Sequence, residues 1–209
     1  MSELVKEQNM LVIISNPTPV AGEVAIINSF FEEGLEIMHL RKPCVAVDEL
    51  RALVEKIKPQ YHSQVALHQH HELVTEFGIK RLHFPEEKRK NSKEDELQQL
   101  NKNGVRLSTS IHSLATVEKL VACFSYAFFG PVFNSISKKG YIASVTDDID
   151  LSFARQIKLI AIGGIDNHNI EKALSMGFDG VAVLGAVWQK AEPIKKFKQL
   201  QQRWKVTGQ

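Results

Sequence analysis

The stretch LIAIGGIDNHNIEKALSMGFDGVAVLGAVW, residues 159–188, holds two short apolar bursts with a helical pattern between them. Each burst closes on small residues, Gly163 and Gly164 after the first, Gly185 and Ala186 after the second. Such a stretch reads as strand, helix, strand. Two strands joined by a helix pair in parallel, because the chain must cross back before it can run in the same direction again.

The same unit repeats upstream. Further bursts occur at LVIIS (11–15), EIMHL (36–40), QVALH (64–68), RLHF (81–84), VRLS (105–108) and YAFFG (126–130). Helical stripes follow them at 22–34, 47–58, 71–78, from about residue 92, at 113–123 and at 150–156, and the last two strands are followed by 169–177 and 191–204. Eight strand–helix pairs in regular alternation predict an α/β protein built as a closed (β/α)8 TIM barrel, in preference to an open doubly wound sheet. No linker or change of composition divides residues 1–209, which read as one barrel domain. Local signals fit the scheme. Gly34 sits where a helix C-cap is expected. Ser92 and Asp95 have the spacing of a capping box. The basic run 88–93, interrupted by Asn91 and Ser92, reads as a solvated loop.

Composition excludes several function classes. The 209 residues are 44% apolar and 24% charged, with a formal net charge of only +2. That is ordinary globular usage and offers neither a nucleic-acid groove nor a membrane patch. The opening residues MSELVKEQNM lack the apolar core of a signal peptide, and no apolar run approaches the roughly 18 residues of a spanning helix. Cys44 and Cys123 are too few for a disulfide framework. These features predict a cytoplasmic protein that binds neither nucleic acid nor membrane. They leave its oligomeric state, a homo-oligomer included, open.

In a barrel of this kind the functional groups lie at the carboxyl ends of the strands, and phosphate often binds after strands seven and eight. Gly163, Gly164, Gly185 and Ala186 fall there. Small residues let backbone N–H groups approach an anion, and the helix that follows adds a favourable dipole. Asp166 or Asn167 is expected to cap that helix. The alternative is that the glycines only make tight turns. Their recurrence at successive strand ends favours phosphate in the space their side chains leave.

Together the segments AIGGI, GFDGVAVLGAV, FFGPVFNSISKKG, STSIHSLATVEKL and IMHLRKP resemble the thiamine-phosphate synthase family and its sister protein TenI, in order and over nearly the whole chain. The resemblance implies a (β/α)8 barrel acting in the thiazole branch of thiamine biosynthesis. Its synthases join a pyrimidine diphosphate to thiazole phosphate with Mg²⁺, releasing pyrophosphate. TenI-type members tautomerise a carboxylated thiazole phosphate. It implies thiazole-phosphate binding by Gly163, Gly164, Gly185 and Ala186, although synthases usually carry Ser at position 185. It implies phosphate and diphosphate contacts from Ser135, Ser137 and Lys138, with Ser110 as a further binding serine. Arg41 matches a synthase arginine, and His39 stands for a synthase glutamine, as in TenI-like members. Positions 39 and 41 point to one side of a strand, so both are expected to face the ligand, with His39, Arg41 and Lys138 as the catalytic candidates.

The metal site departs from the synthase pattern. Where synthases carry an Asp after strand three and another after strand four, this chain has Gln69 and Lys88. Mg²⁺ prefers carboxylate oxygens, so no metal ligand is assigned and Mg²⁺ is implied only for a synthase-active protein; Glu86 or Glu87 would have to substitute. The TenI catalytic histidine position is also lost, to Pro131. His68 and His70 alternate along strand three, with His39 and His83 on neighbouring strands. That pattern suits zinc and hence a metal hydrolase, a reading the long family resemblance outweighs. His112 is expected to serve its turn.

Overall fold

The computed structural model describes residues 9–120, 122–134, 149–151, 156–189 and 191–207. Eight parallel strands close into a barrel in sequence order. They are β1 (Met10–Ile14), β2 (Ile37–Leu40), β3 (Val65–Leu67), β4 (Arg81–Phe84), β5 (Arg106–Ile111), β6 (Phe124–Phe129), β7 (Lys158–Ile162) and β8 (Gly180–Val183). Closure is made by β8 on β1, with Leu11 opposite Val181 and Ile13 opposite Val183. The helices are α1 (Glu23–Glu32), α2 (Val47–Glu55), α3 (Leu73–Phe77), α4 (Glu86–Asn91), α5 (Glu94–Lys102), α6 (Ile170–Ser175), α7 (Gly185–Trp188) and α8 (Pro193–Thr207). The (β/α)8 reading of the sequence is therefore the observed architecture.

Alternation along the strands splits the apolar residues between two cores. One set, with Leu40, Leu67, Leu82 and Leu107, points outward into the core shared with Phe30 of α1 and Phe197 of α8. The other fills the inside of the barrel with Val12, Ile14, Ile37, Tyr126, Phe128, Ile160 and Ala182. At the rim, Glu23 and Lys42 form a buried ion pair at 2.6 Å, and the Lys42 ammonium also donates to the carbonyls of Asn16 (2.8 Å) and Thr18 (3.2 Å). That bond set ties the end of β2 to the loop before α1.

Four local expectations are corrected. The basic run is not a loop: α4 occupies it, started by Pro85, with Glu86 and Glu87 in its first turn and Lys88, Arg89 and Lys90 in its last. That charge order complements the helix dipole, which outweighs the polarity of the run. The capping box does not form, because Ser92 ends α4 and its hydroxyl donates back to the Lys88 carbonyl at 2.8 Å, while Lys93 is the N-cap of α5. The stripe at 113–123 winds only as a 3-10 segment, Leu114–Lys119. A run so short gains too few hydrogen bonds to nucleate an α-helix. The cap of α6 is Asn169, not Asp166 or Asn167. Its side chain accepts from the Asp166 N–H at 2.9 Å and donates to the Gly164 carbonyl at 2.8 Å, closing the turn before the helix. Gly34 does follow the end of α1, at φ 91°, its N–H donating to Phe31. Most of the expected helix at 150–156 lies outside the described residues. Among the described residues no helix is long and apolar enough to cross a membrane.

Candidate functional site

Register brings four polar side chains from β2 to β5 into the barrel. His39 of β2 lies opposite Ala66 of β3, and Leu67 of β3 opposite Leu82 of β4, so His68 at the end of β3 comes level with His83. His83 in turn lies opposite Ser108 of β5. The rings of His68 and His83 stack with centroids 4.1 Å apart. His39 meets His68 edge-on, its Nδ1 2.9 Å from Nε2 of His68, so one ring donates to the other. On its far side Nε2 of His39 is 2.6 Å from the Tyr126 hydroxyl. His83 Nδ1 is 3.0 Å from Ser108 Oγ and its Nε2 is 2.9 Å from Ser110 Oγ.

Burial sets the protonation of this group. Desolvation, followed by the neighbouring rings and by Arg81 or Arg41, holds His39 and His68 well below the ordinary imidazole pKa. The same desolvation, with His71 and Arg41 adding to it, pushes His83 down to about 3. Tyr126 is pushed up to about 12 by burial. All four are therefore neutral near pH 7, and each needs its hydrogen bonds made within the barrel.

The expected site residues divide. His39 and Arg41 stand in different surroundings: His39 is fully buried with both ring nitrogens engaged, while Arg41 is exposed just beyond β2. Ser110 is half-buried at the mouth. Ser135, Ser137 and Lys138 lie outside the described residues. Gly163 and Gly164 have φ of 94° and 68°. A Cβ on Gly163 would stand 2.8 Å from Pro131, and one on Gly164 2.7 Å from the Phe133 carbonyl oxygen. The space their side chains leave is thus taken by the main chain of residues 131–134, which corrects the expectation that an anion fills it. Gly185 and Ala186 open α7, held in place by the Trp188 indole N–H donating to the Ile14 carbonyl at 2.8 Å.

Of the histidines expected to alternate along strand three, only His68 joins the cluster. His70 lies beyond β3 with φ 53° and its Nε2 is 2.8 Å from the Val45 carbonyl. His112, expected to serve its own turn, instead has Nδ1 2.7 Å from the carbonyl of Gly130, in the loop after β6. His39, His68 and His83 offer ring nitrogens within 4.8 Å of one another. A dication there meets no carboxylate within the trio, and Arg41 and Arg81 add positive charge. Stacked rings also cannot both point a lone pair at one ion. Tyr126 and Ser108 were not singled out in the sequence; their signal is a polar residue at an inward-alternating position of its strand.

Mg²⁺ fits the mouth no better. Gln69 buries an amide nitrogen without a hydrogen-bond partner, a donor where a cation needs oxygen lone pairs. Lys88 lies close enough to Glu72 and His71 to interact with both, and its ammonium repels a cation. Glu86 is engaged by Lys90 at 2.9 Å and lies 3.8 Å from Arg89, and Glu87 is exposed on α4. Neither substitutes for the missing carboxylates.

A family model described as thiamine monophosphate synthase matches residues 9–187. A thiamine-phosphate synthase of Neisseria meningitidis is 25% identical over 185 residues, covering 85% of this chain and 89% of that protein. The crystal structure of a thiamine phosphate pyrophosphorylase from Bacteroides thetaiotaomicron superposes with a TM-score of 0.76 at 26% identity, over 94% of this chain and 98% of that one. A thiamine phosphate pyrophosphorylase from Pyrococcus furiosus shares the fold, with a TM-score of 0.72 at 16% identity over 95% and 96% of the two chains.

Proposed function

The chain belongs to the thiamine monophosphate synthase family, and from that premise we propose that it is a cytoplasmic, synthase-type protein of thiamine biosynthesis that binds thiazole phosphate at the carboxyl ends of β7 and β8. Support for the phosphate position comes from Gly185 and Ala186, whose first-turn N–H groups have no partner within α7. In this reading Gly163 and Gly164 act by letting residues 131–134 pack close, and Ser135, Ser137 and Lys138 are the ligand contacts implied by the resemblance. Arg41 and Ser110 contact the ligand from the opposite side of the mouth. His39 acts through His68 and is a positioning residue.

In the coupling reaction implied by the resemblance, pyrophosphate leaves the pyrimidine methylene as thiazole phosphate takes its place. Negative charge builds on the leaving group, and fixed positive charge there lowers the barrier. Arg41 and Lys138 are the side chains this chain offers for that task. The observation that carries the rest of the reading is the pair Gln69 and Lys88, a buried amide nitrogen without a partner and an ammonium where Mg²⁺ prefers carboxylate oxygens. We therefore infer weak coupling activity or none, with thiazole-phosphate binding kept.

Two measurements on the full chain test this. Titration calorimetry with thiazole phosphate is expected to show saturable binding; its absence overturns the binding site. Incubation with both substrates and Mg²⁺ is expected to yield little thiamine phosphate, and Gln69→Asp with Lys88→Asp to raise Mg²⁺-dependent turnover by at least about tenfold, the equivalent of about 1.4 kcal/mol of barrier. Ordinary synthase rates with saturable Mg²⁺ dependence in the natural chain overturn the second half.

A further inference from the structure

Alternation along β5 turns Ser108 and Ser110 to one side of the strand, into the barrel, while Leu107 and Ile111 join the outer core. Two residues apart on one face is about 6.6 Å, a span that one imidazole ring and its two hydrogen bonds cover. His83, opposite Ser108 in register, covers it: Nδ1 lies 3.0 Å from Ser108 Oγ and Nε2 2.9 Å from Ser110 Oγ. The ring is held in its plane by two near-parallel neighbours, His68 at 4.1 Å and Phe128 at 4.9 Å.

The bonds around Ser108 set which ring nitrogen carries the proton. Its hydroxyl is 3.3 Å from the Leu82 carbonyl, which can only accept, so the one Ser108 proton is committed there. Ser108 therefore accepts from Nδ1–H of His83, Nε2 keeps its lone pair, and the Ser110 hydroxyl donates to it. His83 and Ser108 are buried, whereas Ser110 is half-buried at the mouth. A reachable hydroxyl, a base within hydrogen-bond distance of it and a group that orients the base are thus in line, the arrangement of nucleophilic catalysis. We propose that Ser110, His83 and Ser108 form a nucleophilic triad, in which Ser110 takes the acyl group of an activated ester and passes it to water.

Ser108 stands where a carboxylate would stabilise an imidazolium in a Ser–His–Asp arrangement. Burial first, then His71 and Arg41, hold the His83 pKa at about 3, and His39 and His68 pack against it as neutral rings. The base is therefore always in its accepting form near pH 7, but weak. It takes the Ser110 proton only as the new bond to carbon forms, so the acyl carbon has to be reactive, as in an aryl ester rather than an amide. Ser110 Oγ bonds to that carbon while its proton moves to Nε2. The bond from the carbon to the leaving oxygen then breaks, and the imidazolium, a strong acid in this site, gives the proton to the departing oxygen. Water adds to the acyl-serine in the same way, its proton passing through Nε2 to Ser110 Oγ as the carboxylic acid leaves. The Arg41 guanidinium, near enough to act on His83, supplies positive charge for the oxyanion formed in each addition.

The probe is p-nitrophenyl acetate on the full chain, which calls for no thiazole-phosphate binding, so failure here leaves that reading intact. With the buffer rate subtracted, the wild type is expected to release p-nitrophenolate at least about tenfold faster than Ser110→Ala, below the usual range for a positioned base because this base is weak. Peptide mass spectrometry is expected to place one acetyl group on Ser110. His83→Phe keeps a stacking ring without the base and falls to the Ser110→Ala rate, and Ser108→Ala, which frees the tautomer, falls between the two. If a buried variant does not fold, Ser110→Ala at the mouth decides alone. The Ser110-dependent rate stays level from about pH 5.5 to 8, because His83 is neutral throughout, whereas attack by an ordinary exposed imidazole rises through about pH 6.5. Equal release by wild type and Ser110→Ala, acetyl groups on other residues only, or a rate that climbs through pH 6.5 overturns the triad.

Discussion

The two sides of the barrel interior are equally buried and are held by different forces. On the side of β7, β8 and β1, Ile160, Ala182, Val12 and Ile14 meet in apolar contact. On the side of β2 to β5 stand His39, His68, His83 and Ser108, each tied to a named partner. Apolar contact is non-directional and tolerates exchange of like volume. A buried polar network does not, since each unmade bond costs the full desolvation of its group. Phe128 stands on the boundary, stacked on His83 at 4.9 Å and tilted against His39 at 4.7 Å. The difference teaches that one barrel can divide its interior into a half that holds shape and a half that holds protons.

Acid strikes one side only, and it produces the largest expected effect. The pKa of His83 is about 3 in the folded chain, and His39 and His68 are lowered in the same direction. In the unfolded chain all three return to about 6.5. Because the folded values are depressed, the stability these rings contribute is complete above about pH 6.5 and is lost as pH falls toward the folded values. By pH 5 His83 alone removes about 2 kcal/mol, at about 1.4 kcal/mol per unit, and His39 and His68 add to it. The melting temperature is expected to fall by roughly 10 °C between pH 7 and pH 5. A flat profile over that range would mean that the rings are not held neutral, and the contrast between the two sides would go with it.

Phe128→Ala tests whether the sides are coupled. Removing the ring opens a cavity against both, and about 3–5 kcal/mol of destabilisation is expected in urea. Nitrogen-15 shifts of His39 and His83 should move in the same variant. A loss of stability with both histidines unmoved shows two independent cores.

What was legible in the sequence follows the same division. Eight bursts and their crossovers gave the barrel, because burial on both faces leaves strands that are apolar throughout. Inward and outward positions follow from alternation within one strand, but which residues meet across the interior depends on register around the whole ring. His39 and His68 were visible as a pair on neighbouring strands. Their link to Tyr126, four strands further on, exists only because the barrel closes. His70 was misplaced because β3 ends at Leu67, and a left-handed residue turns its side chain away. The glycine turns were found, but not what fills them, because the filling is main chain from a segment about 30 residues earlier.

That last point is open to the finest test. Gly104 and Gly164 both have positive φ, 82° and 68°. Beside Gly104 nothing lies within 4 Å of a Cβ, whereas beside Gly164 the Phe133 and Asn134 carbonyl oxygens stand at 2.7 and 2.8 Å. Alanine at Gly104 meets only the left-handed backbone cost, about 1–2 kcal/mol. Alanine at Gly164 meets the same cost and must also push back main chain, which adds about 1–3 kcal/mol. The difference between the two variants in urea unfolding therefore isolates the close approach at the β6–β7 rim, on the shape-holding side of the barrel. Equal losses would mean that the space beside Gly164 is free of main chain in solution. It would then be open to an anion, as the glycine pattern of the sequence predicts, and phosphate titrated against both variants would weaken only for Gly164→Ala.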